Sequence, residues 1–259
     1  MFNELLAAVA SDSSFWQTMA DLWRASSGLL DFLGNLWAAF FTTTNIWSRV
    51  ATATWETIYI VGISSLVAAL GGIPLGVILV ASREGHVLGK LWRVNAALSA
   101  VVNILRSIPF IIFMVFIMPV TGLVVGTGIG TTAATFCLAI AAVVFTARLA
   151  ESAILEVPSG LIEAAQSTGA NAWQIIWRVM LPEARSGLVA AMTITIITLI
   201  GYSAMAGTVG GGGLGNRAIN YGHYRYQYDV ILVTVVILVV MVQGIQSAGD
   251  ALAKKLNKK

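Results

Sequence analysis

Four long stretches without a charged residue constrain this chain more than any other feature. They cover residues 57–82, 107–147, 186–216 and 230–249. A helix that crosses the hydrocarbon core of a bilayer needs about 20 mostly apolar residues, so each stretch can hold a span and the longest can hold more than one. Pro119 and the glycines after it predict a turn inside 107–147. We therefore predict five spanning helices, at residues 56–81, 94–118, 132–155, 187–207 and 229–251.

The composition agrees with a membrane location. Hydrophobic residues make up 58% of the 259 residues and charged residues only 10%, whereas soluble domains average about 25% charged. A core of this size cannot hide so much apolar surface, so part of it must face lipid. The net charge of +3 does not indicate nucleic acid as a partner, because the basic residues lie beside apolar stretches. We expect an all-α integral membrane protein in a lipid bilayer.

Basic residues are concentrated on one side of the predicted spans. The connections after the first and third helices and the C-terminal tail carry Arg83, Lys90, Arg93, Arg148, Arg178, Arg185, Lys254, Lys255, Lys258 and Lys259. Cytoplasmic loops of membrane proteins carry an excess of lysine and arginine. The pattern predicts that this side, including the C-terminus, is cytoplasmic.

Residues 1–50 differ from the rest, because four tryptophans there alternate with charged residues. Tryptophan is enriched at membrane interfaces, so we predict an N-terminal extension of one or two interfacial helices. Their apolar faces would come from Phe15, Trp16, Met19, Trp23, Leu29, Leu30 and Leu33. A sixth span within 32–48 is the alternative. No basic region precedes the apolar stretch, so we expect no cleaved signal peptide. The membrane domain would then cover 51–259.

The connection 156–185 contains start and stop signals for two short helices. Pro158 and Ser159 predict the first start, with Ser159 as the N-cap, and Gly169 predicts its end. Asn171 and Gln174 form a capping-box pattern for the second helix, which Pro182 is expected to end. A short amphipathic helix is marginal alone, so we expect a partner groove for the first one. The residues that it would present are Leu161, Ile162, Ala164 and Ala165.

The same connection carries the most specific motif of the chain. Glu163-Ala164-Ala165, three residues, Gly169, nine residues, Val179, one residue and Leu181-Pro182 resemble the EAA signature of the permeases of bacterial ATP-binding-cassette (ABC) importers. The family pattern usually has isoleucine at the position of Val179. Residues 102–112, 155–164 and 199–207 resemble the methionine-importer group in particular. The similarity runs from about Trp47 to the C-terminus.

The resemblance implies a type I ABC-importer permease fold with five core spans, in the cell inner membrane. It implies a homodimer, two cytoplasmic ATPase subunits, an external substrate-binding protein, and methionine as the substrate. ATP and Mg²⁺ would be bound by the ATPase, since this sequence has no Gly-x₄-Gly-Lys-Ser/Thr motif. The coupling helix that docks on the ATPase would use Leu161, Ile162, Glu163, Ala164, Ala165, Gly169, Leu181 and Pro182.

A second set of residues could line the translocation path or its gate. A charge within an apolar span is costly unless it faces a cavity or a partner, so Arg106 either belongs to the path or pairs with an acidic residue such as Glu151. Tyr202, Ser203 and Met205 offer hydroxyl groups and a polarizable thioether, although helix-packing residues would look the same. The candidate set is Asn103, Arg106, Ser107, Phe110, Tyr202, Ser203 and Met205.

Other functional classes have little support in the sequence. Neither histidine lies in a zinc-protease motif, and we expect no catalytic or metal site. The pattern at Gly210, Gly212 and Gly215 follows an apolar span, so we interpret it as a tight turn or gate element, not a nucleotide site. A secondary transporter or channel for a small polar solute is the alternative, and it would need an ionisable relay or broken helices at mid-membrane. An intramembrane enzyme or a scaffold fits less well.

Overall fold

The structure is a computed structural model that describes residues 44–85 and 87–257. The chain divides into two compact units, Met1–Ser48 and Arg49–Lys259, and the second is the subject below. The predicted interfacial helices lie outside the described residues, as does nearly all of the alternative sixth span. Both stay predictions.

Every regular element within the described residues is helical, as predicted. The α-helices are α1 (Thr44–Val67), α2 (Ile73–Ala81), α3 (Trp92–Ser107), α4 (Phe110–Val125), α5 (Thr131–Leu155), α6 (Ser159–Ser167), α7 (Ala172–Ile175), α8 (Leu181–Thr208), α9 (Gly213–Arg217) and α10 (Tyr228–Leu256). Wider π-helical turns at Ala68–Gly72 and Ile176–Met180 join α1 to α2 and α7 to α8, and a third, Ala218–His223, follows α9. A 3-10 turn, Gly89–Leu91, precedes α3.

Five of the resulting stretches are long and apolar enough to cross a membrane, if one bent pair counts as a single span. Four are continuous: Val50–Ala81, Thr131–Leu155, Ala172–His223 and Val230–Leu256. The fifth consists of α3 and α4, which meet at an angle of 109°. Within the described residues the five predicted core spans are therefore present, with one of them broken.

The break corrects the prediction of one continuous helix over 94–118. Ile108 is extended, with φ −81° and ψ 124°, and Pro109 is the N-cap of α4. A residue before proline avoids the helical region, and proline has no N–H to donate, so α3 ends here. The turn that the sequence places near Pro119 comes later, because Pro119 lies inside α4 and the chain reverses between Gly126 (φ +85°) and Gly130 (φ +105°).

Two predictions about helix ends in the connection 156–185 are also wrong. Pro182 does not end the second helix but lies in the first turn of α8, so the helical path continues from Ala172 to Thr208. The π turn Ile176–Met180 directly before it widens the hydrogen-bond ladder where a proline cannot donate. Ser159 is the first residue of α6 rather than its N-cap, a position that Pro158 occupies without a side-chain bond.

Helix α5 lies at the centre of the fold and contacts α2, α3, α4 and α8. Glycines let α2 approach it closely: a Cβ atom on Gly76 would lie 2.7 Å from the carbonyl oxygen of Ala147 and 2.8 Å from the Cβ of Ala150. Across the other interface, the hydroxyls of Thr146 and Thr195 are hydrogen-bonded at 3.1 Å. Small residues and paired hydroxyls thus allow α2 and α8 to pack closely on α5.

Candidate functional site

The helix that carries the Glu-Ala-Ala motif, α6, ends in a well-formed cap. Gly169 has φ +78°, a left-handed conformation that glycine adopts without strain. Its N–H donates to the carbonyl of Gln166 at 2.9 Å, and the N–H of Ala170 donates to the carbonyl of Ala165 at 3.1 Å. These two bonds are those of the Schellman arrangement, which satisfies the last carbonyls of a helix. The predicted role of Gly169 as the helix stop is confirmed.

The next helix is capped equally well. The backbone N–H of Gln174 donates to the side-chain oxygen of Asn171 at 2.9 Å, and the N–H of Asn171 donates to the side-chain oxygen of Gln174 at 2.9 Å. This is the predicted capping box. The connection between α5 and α8 is therefore an ordered pair of short helices with a defined surface.

One face of α6 packs on the ends of the long helices. Ile162 and Ala165 pack against a buried cluster that includes Val80 at the end of α2, Ile154 at the end of α5 and Met180 before α8. Ile162 and Ala165, which we expected α6 to present to a partner, are half-buried on this inner face. The cluster therefore joins α6 to the ends of α2, α5 and α8.

The opposite face of α6 is open. Leu161 is 43% exposed, and Glu163 and Ala164 are also exposed. No residue of α6 is fully buried. We call Leu161, Glu163 and Ala164 the outer face of α6. Farther along the motif, Leu181 packs on the same cluster as Ile162, whereas Pro182 is exposed.

Two exposed tryptophans lie in α7 and in the π turn after it, a feature that the sequence reasoning missed. Trp173 is 68% exposed and Trp177 is 54% exposed, and their ring centroids are 5.3 Å apart. Residues four apart share a helix face, so the Trp-x-x-x-Trp spacing was the available signal. Exposed aromatic pairs of this kind are common at protein and membrane interfaces.

An ionic network around the buried Glu151 ties together the ends of three helices. Glu151 in α5 is only 2% exposed, and its carboxylate accepts hydrogen bonds from Arg83 at 3.0 Å and from Arg148. Arg148 also donates to the side-chain oxygen of Asn103 in α3. The suggested pairing of Arg106 with Glu151 is therefore wrong. The spacing of Arg148 and Glu151 was readable from the sequence, but the partner 68 residues away was not.

Three of the seven predicted path residues, Arg106, Phe110 and Tyr202, line one cavity at the junction of α3 and α4. The rings of Phe110 and Tyr202 are stacked, with centroids 4.5 Å apart and planes 2° from parallel. The guanidinium of Arg106 lies 6.0 Å from the centroid of the Phe145 ring. The cavity has a volume of about 120 Å³ and opens to one side; its walls are Leu105, Arg106, Ile108, Phe110, Phe113, Ala141, Val144, Phe145 and Tyr202.

The other four path candidates do not line this cavity. Asn103 belongs to the ionic network. The hydroxyls of Ser107 and Ser203 donate to backbone carbonyls three residues earlier, at 2.7 and 2.8 Å, which is common for helix serines. Met205 is exposed.

The glycine-rich segment after α8 forms a turn held by the first helix. The carboxylate of Glu56 accepts a hydrogen bond from the N–H of Gly213 at 2.7 Å, and the hydroxyl of Thr57 accepts one from the N–H of Leu214 at 2.9 Å. Gly210, Gly212 and Gly213 all have positive φ. The segment is a tight turn, as expected, but the part played by Glu56 was not foreseen.

Comparisons with known proteins agree in fold and family. Residues 72–259 match the family described as binding-protein-dependent transport system inner membrane component. A probable D-methionine transport system permease protein of Vibrio cholerae is 57% identical over 206 residues, which cover 80% of this chain and 91% of that protein. Its counterpart in Haemophilus influenzae is 48% identical over 212 residues, covering 82% and 99%.

Solved structures give the same result. A chain of the MetNI methionine ABC transporter, in an inward-facing conformation, aligns with a TM-score of 0.81 and 42% identity and covers 84% of this chain and 100% of its own. A chain of an amino acid ABC transporter with histidines aligns with a TM-score of 0.67 at 18% identity. The second similarity concerns the fold alone.

Proposed function

Because this chain belongs to the family of binding-protein-dependent transport system inner membrane components, we propose that it is the membrane-spanning permease subunit of an ATP-driven importer of methionine. The observation that carries the proposal is the fold of the Glu-Ala-Ala segment. It forms a capped helix that is seated on the ends of three long helices and leaves Leu161, Glu163 and Ala164 open. The similarity to methionine permeases supports the substrate.

In this proposal two separate cytoplasmic ATPase chains bind the outer face of α6. ATP and Mg²⁺ belong to those chains, because this sequence has no phosphate-binding loop. One motif per chain and a paired ATPase together imply a homodimer, with a two-fold axis along the translocation path. The positive-inside pattern, which puts Arg83, Arg148 and the C-terminal lysines on one side, supports a cytoplasmic location for α6 and for the C-terminus. A substrate-binding protein would deliver methionine from the outside.

Alternating access follows from the way α6 is held. Nucleotide binding can shift a conformational equilibrium only through contacts that differ between the two states. The outer face of α6 supplies such contacts, and its inner face, Ile162 and Ala165, passes the movement to α2, α5 and α8 through the shared cluster. The Glu151 network connects α3 to the same helix ends. A rigid-body movement of the helix ends would then open or close the path.

The test of this function is uptake of labelled methionine into proteoliposomes that contain this chain, its ATPase and its binding protein. We expect uptake that requires ATP and that only methionine or close analogues suppress. ATP-driven uptake of a different solute would retain the permease role and reject the substrate. The broken span α3–α4 is also a feature of secondary transporters. Uptake driven by an ion gradient without ATP would therefore favour that class.

A further inference from the structure

The wall of the cavity at the α3–α4 junction includes one positively charged residue, Arg106, whose side chain is exposed. In the parts of the chain that the structure describes, residues 44–85 and 87–257, no carboxylate lies within 4.0 Å of the Arg106 guanidinium. The nearby acid Glu151 is already occupied by Arg83 and Arg148. An arginine in an apolar span is costly unless it serves a cavity, a partner or a polar route.

The remaining wall of the cavity is apolar and aromatic. Phe110 and Tyr202 form a stacked pair, and Phe145 lies beside the Arg106 guanidinium. The volume of about 120 Å³ is slightly smaller than the roughly 150 Å³ engineered cavity that holds a benzene ring. The cavity is open to one side, so part of a larger ligand can extend from it. A few polar groups in a mostly apolar, aromatic wall are typical of a small-molecule site.

The break between α3 and α4 also favours a negatively charged ligand. Helix α4 begins at Phe110, and the positive end of its dipole adds to the charge of Arg106. Transporters use the ends of discontinuous helices in this way for anionic substrate groups. The full charge of Arg106 attracts an anion more strongly than the partial charge of the helix dipole, which only adds to it.

We propose that this cavity is a transient binding site for the transported amino acid, in which Arg106 binds the α-carboxylate and the aromatic rings contact the side chain. The inference rests on the proposed function and adds to it a site within the permease itself. A guanidinium matches a carboxylate in a bidentate manner. Thioether sulfur makes favourable contacts with aromatic rings, which the Phe110–Tyr202 pair and Phe145 provide.

The test uses the complete complex of this chain with its ATPase in lipid nanodiscs, without binding protein. A diazirine-bearing methionine analogue is photoactivated, and the labelled peptides are identified by mass spectrometry. We expect labelling of the peptides that contain Phe110 and Tyr202. Methionine should compete on the order of 10-fold better than methioninol, in which a hydroxymethyl group replaces the carboxylate, because only the carboxylate forms charge-assisted bonds. Equal competition by the two compounds in the unmodified complex would overturn the proposal.

Variants then assign the effect to Arg106. Arg106→Gln should abolish the difference between methionine and methioninol, and Arg106→Lys should retain part of it. Arg93→Gln is the matched control, since Arg93 lies exposed on the same helix, α3, and lies outside the cavity. It should behave as the unmodified chain. Discrimination that survives in Arg106→Gln contradicts the assignment.

Two further outcomes separate this inference from its premise. In the first, the complex takes up methionine in proteoliposomes, but added methionine does not reduce the labelling, which instead changes with the content of anionic lipid. Arg106 would then pair with lipid phosphate, and the cavity proposal would be wrong. If the complex takes up no methionine at all, the proposed function fails first. The comparison of the two competitors needs no variant, so misfolding of Arg106→Gln would not prevent a decision.

Discussion

Replacement of Gly169 by alanine is the sharpest perturbation of the proposed coupling helix. A Cβ atom at this position would meet nothing within 4 Å, so the substitution creates no clash. Its cost comes from the backbone, because φ is +78° and a left-handed conformation costs an ordinary residue roughly 1–2 kcal/mol. The cost falls on the end of α6, a helix without a fully buried residue. Global unfolding should therefore hardly change.

The expected loss of affinity for the ATPase follows from this backbone cost. A penalty of about 1–2 kcal/mol lowers the ratio of folded to frayed helix end by roughly 5- to 30-fold. That factor is the upper limit for the loss of apparent affinity between the permease and its ATPase, because only the folded form is competent to bind. Gly169→Asn should lose less, since asparagine tolerates the left-handed region better.

The assay is a titration of the ATPase onto immobilised permease in nanodiscs, followed by the ratio of methionine transported to ATP hydrolysed. Gly160→Ala is the matched control: its Cβ also meets nothing within 4 Å, but Gly160 lies in the helical first turn of α6. Alanine there favours the helix by about 0.5–1 kcal/mol, so affinity should be equal or higher. Identical affinities for Gly169→Ala and Gly160→Ala would refute the reasoning.

Three further predictions concern the stability of the membrane domain, measured as the apparent melting temperature of the detergent-solubilised protein. Glu151→Gln should destabilise it by about 1–3 kcal/mol, because two arginines lose a buried counter-charge; Glu156→Gln, an exposed neighbour, should have no effect. Gly213→Ala should lower stability by at least about 1–2 kcal/mol, because φ is +77° and the new Cβ would lie 2.8 Å from a threonine hydroxyl. Gly76→Ala should cost about 1–3 kcal/mol by pushing α2 from α5. Gly244→Ala, whose Cβ meets nothing within 4 Å in α10, is the control for both glycines, and an equal melting temperature for all three would contradict these assignments.

Local signals explain what the sequence predicted correctly. The stop at Gly169 and the Asn171–Gln174 capping box depend on residues within three or four positions of each other, and both are present as expected. The spans likewise follow from the length of charge-free sequence. The resemblance through the Glu-Ala-Ala motif led to the correct family.

What the sequence did not predict depends on tertiary context. Pro109 and Pro119 both lie in apolar sequence, yet only Pro109 breaks the helix, whereas Pro119 is accommodated inside α4. The sequence also does not show which hydroxyl groups are satisfied by their own helix, as that of Ser203 is. The inward orientation of Ala165 depends on a cluster assembled from three distant segments. These features depend on contacts between segments that are far apart in the sequence.

In the proposed function, the outer face of α6 binds the ATPase that drives transport. It is tested most directly by photo-crosslinking from single cysteines that carry a benzophenone, Ala164→Cys on the outer face and Ala165→Cys on the inner face, in the assembled complex. The native Cys137 can stay, because it is only 3% exposed. We expect a strong crosslink to the ATPase from position 164, altered by ATP, and little from position 165. Equal crosslinking from both positions, or none from 164 in an intact complex, would contradict it.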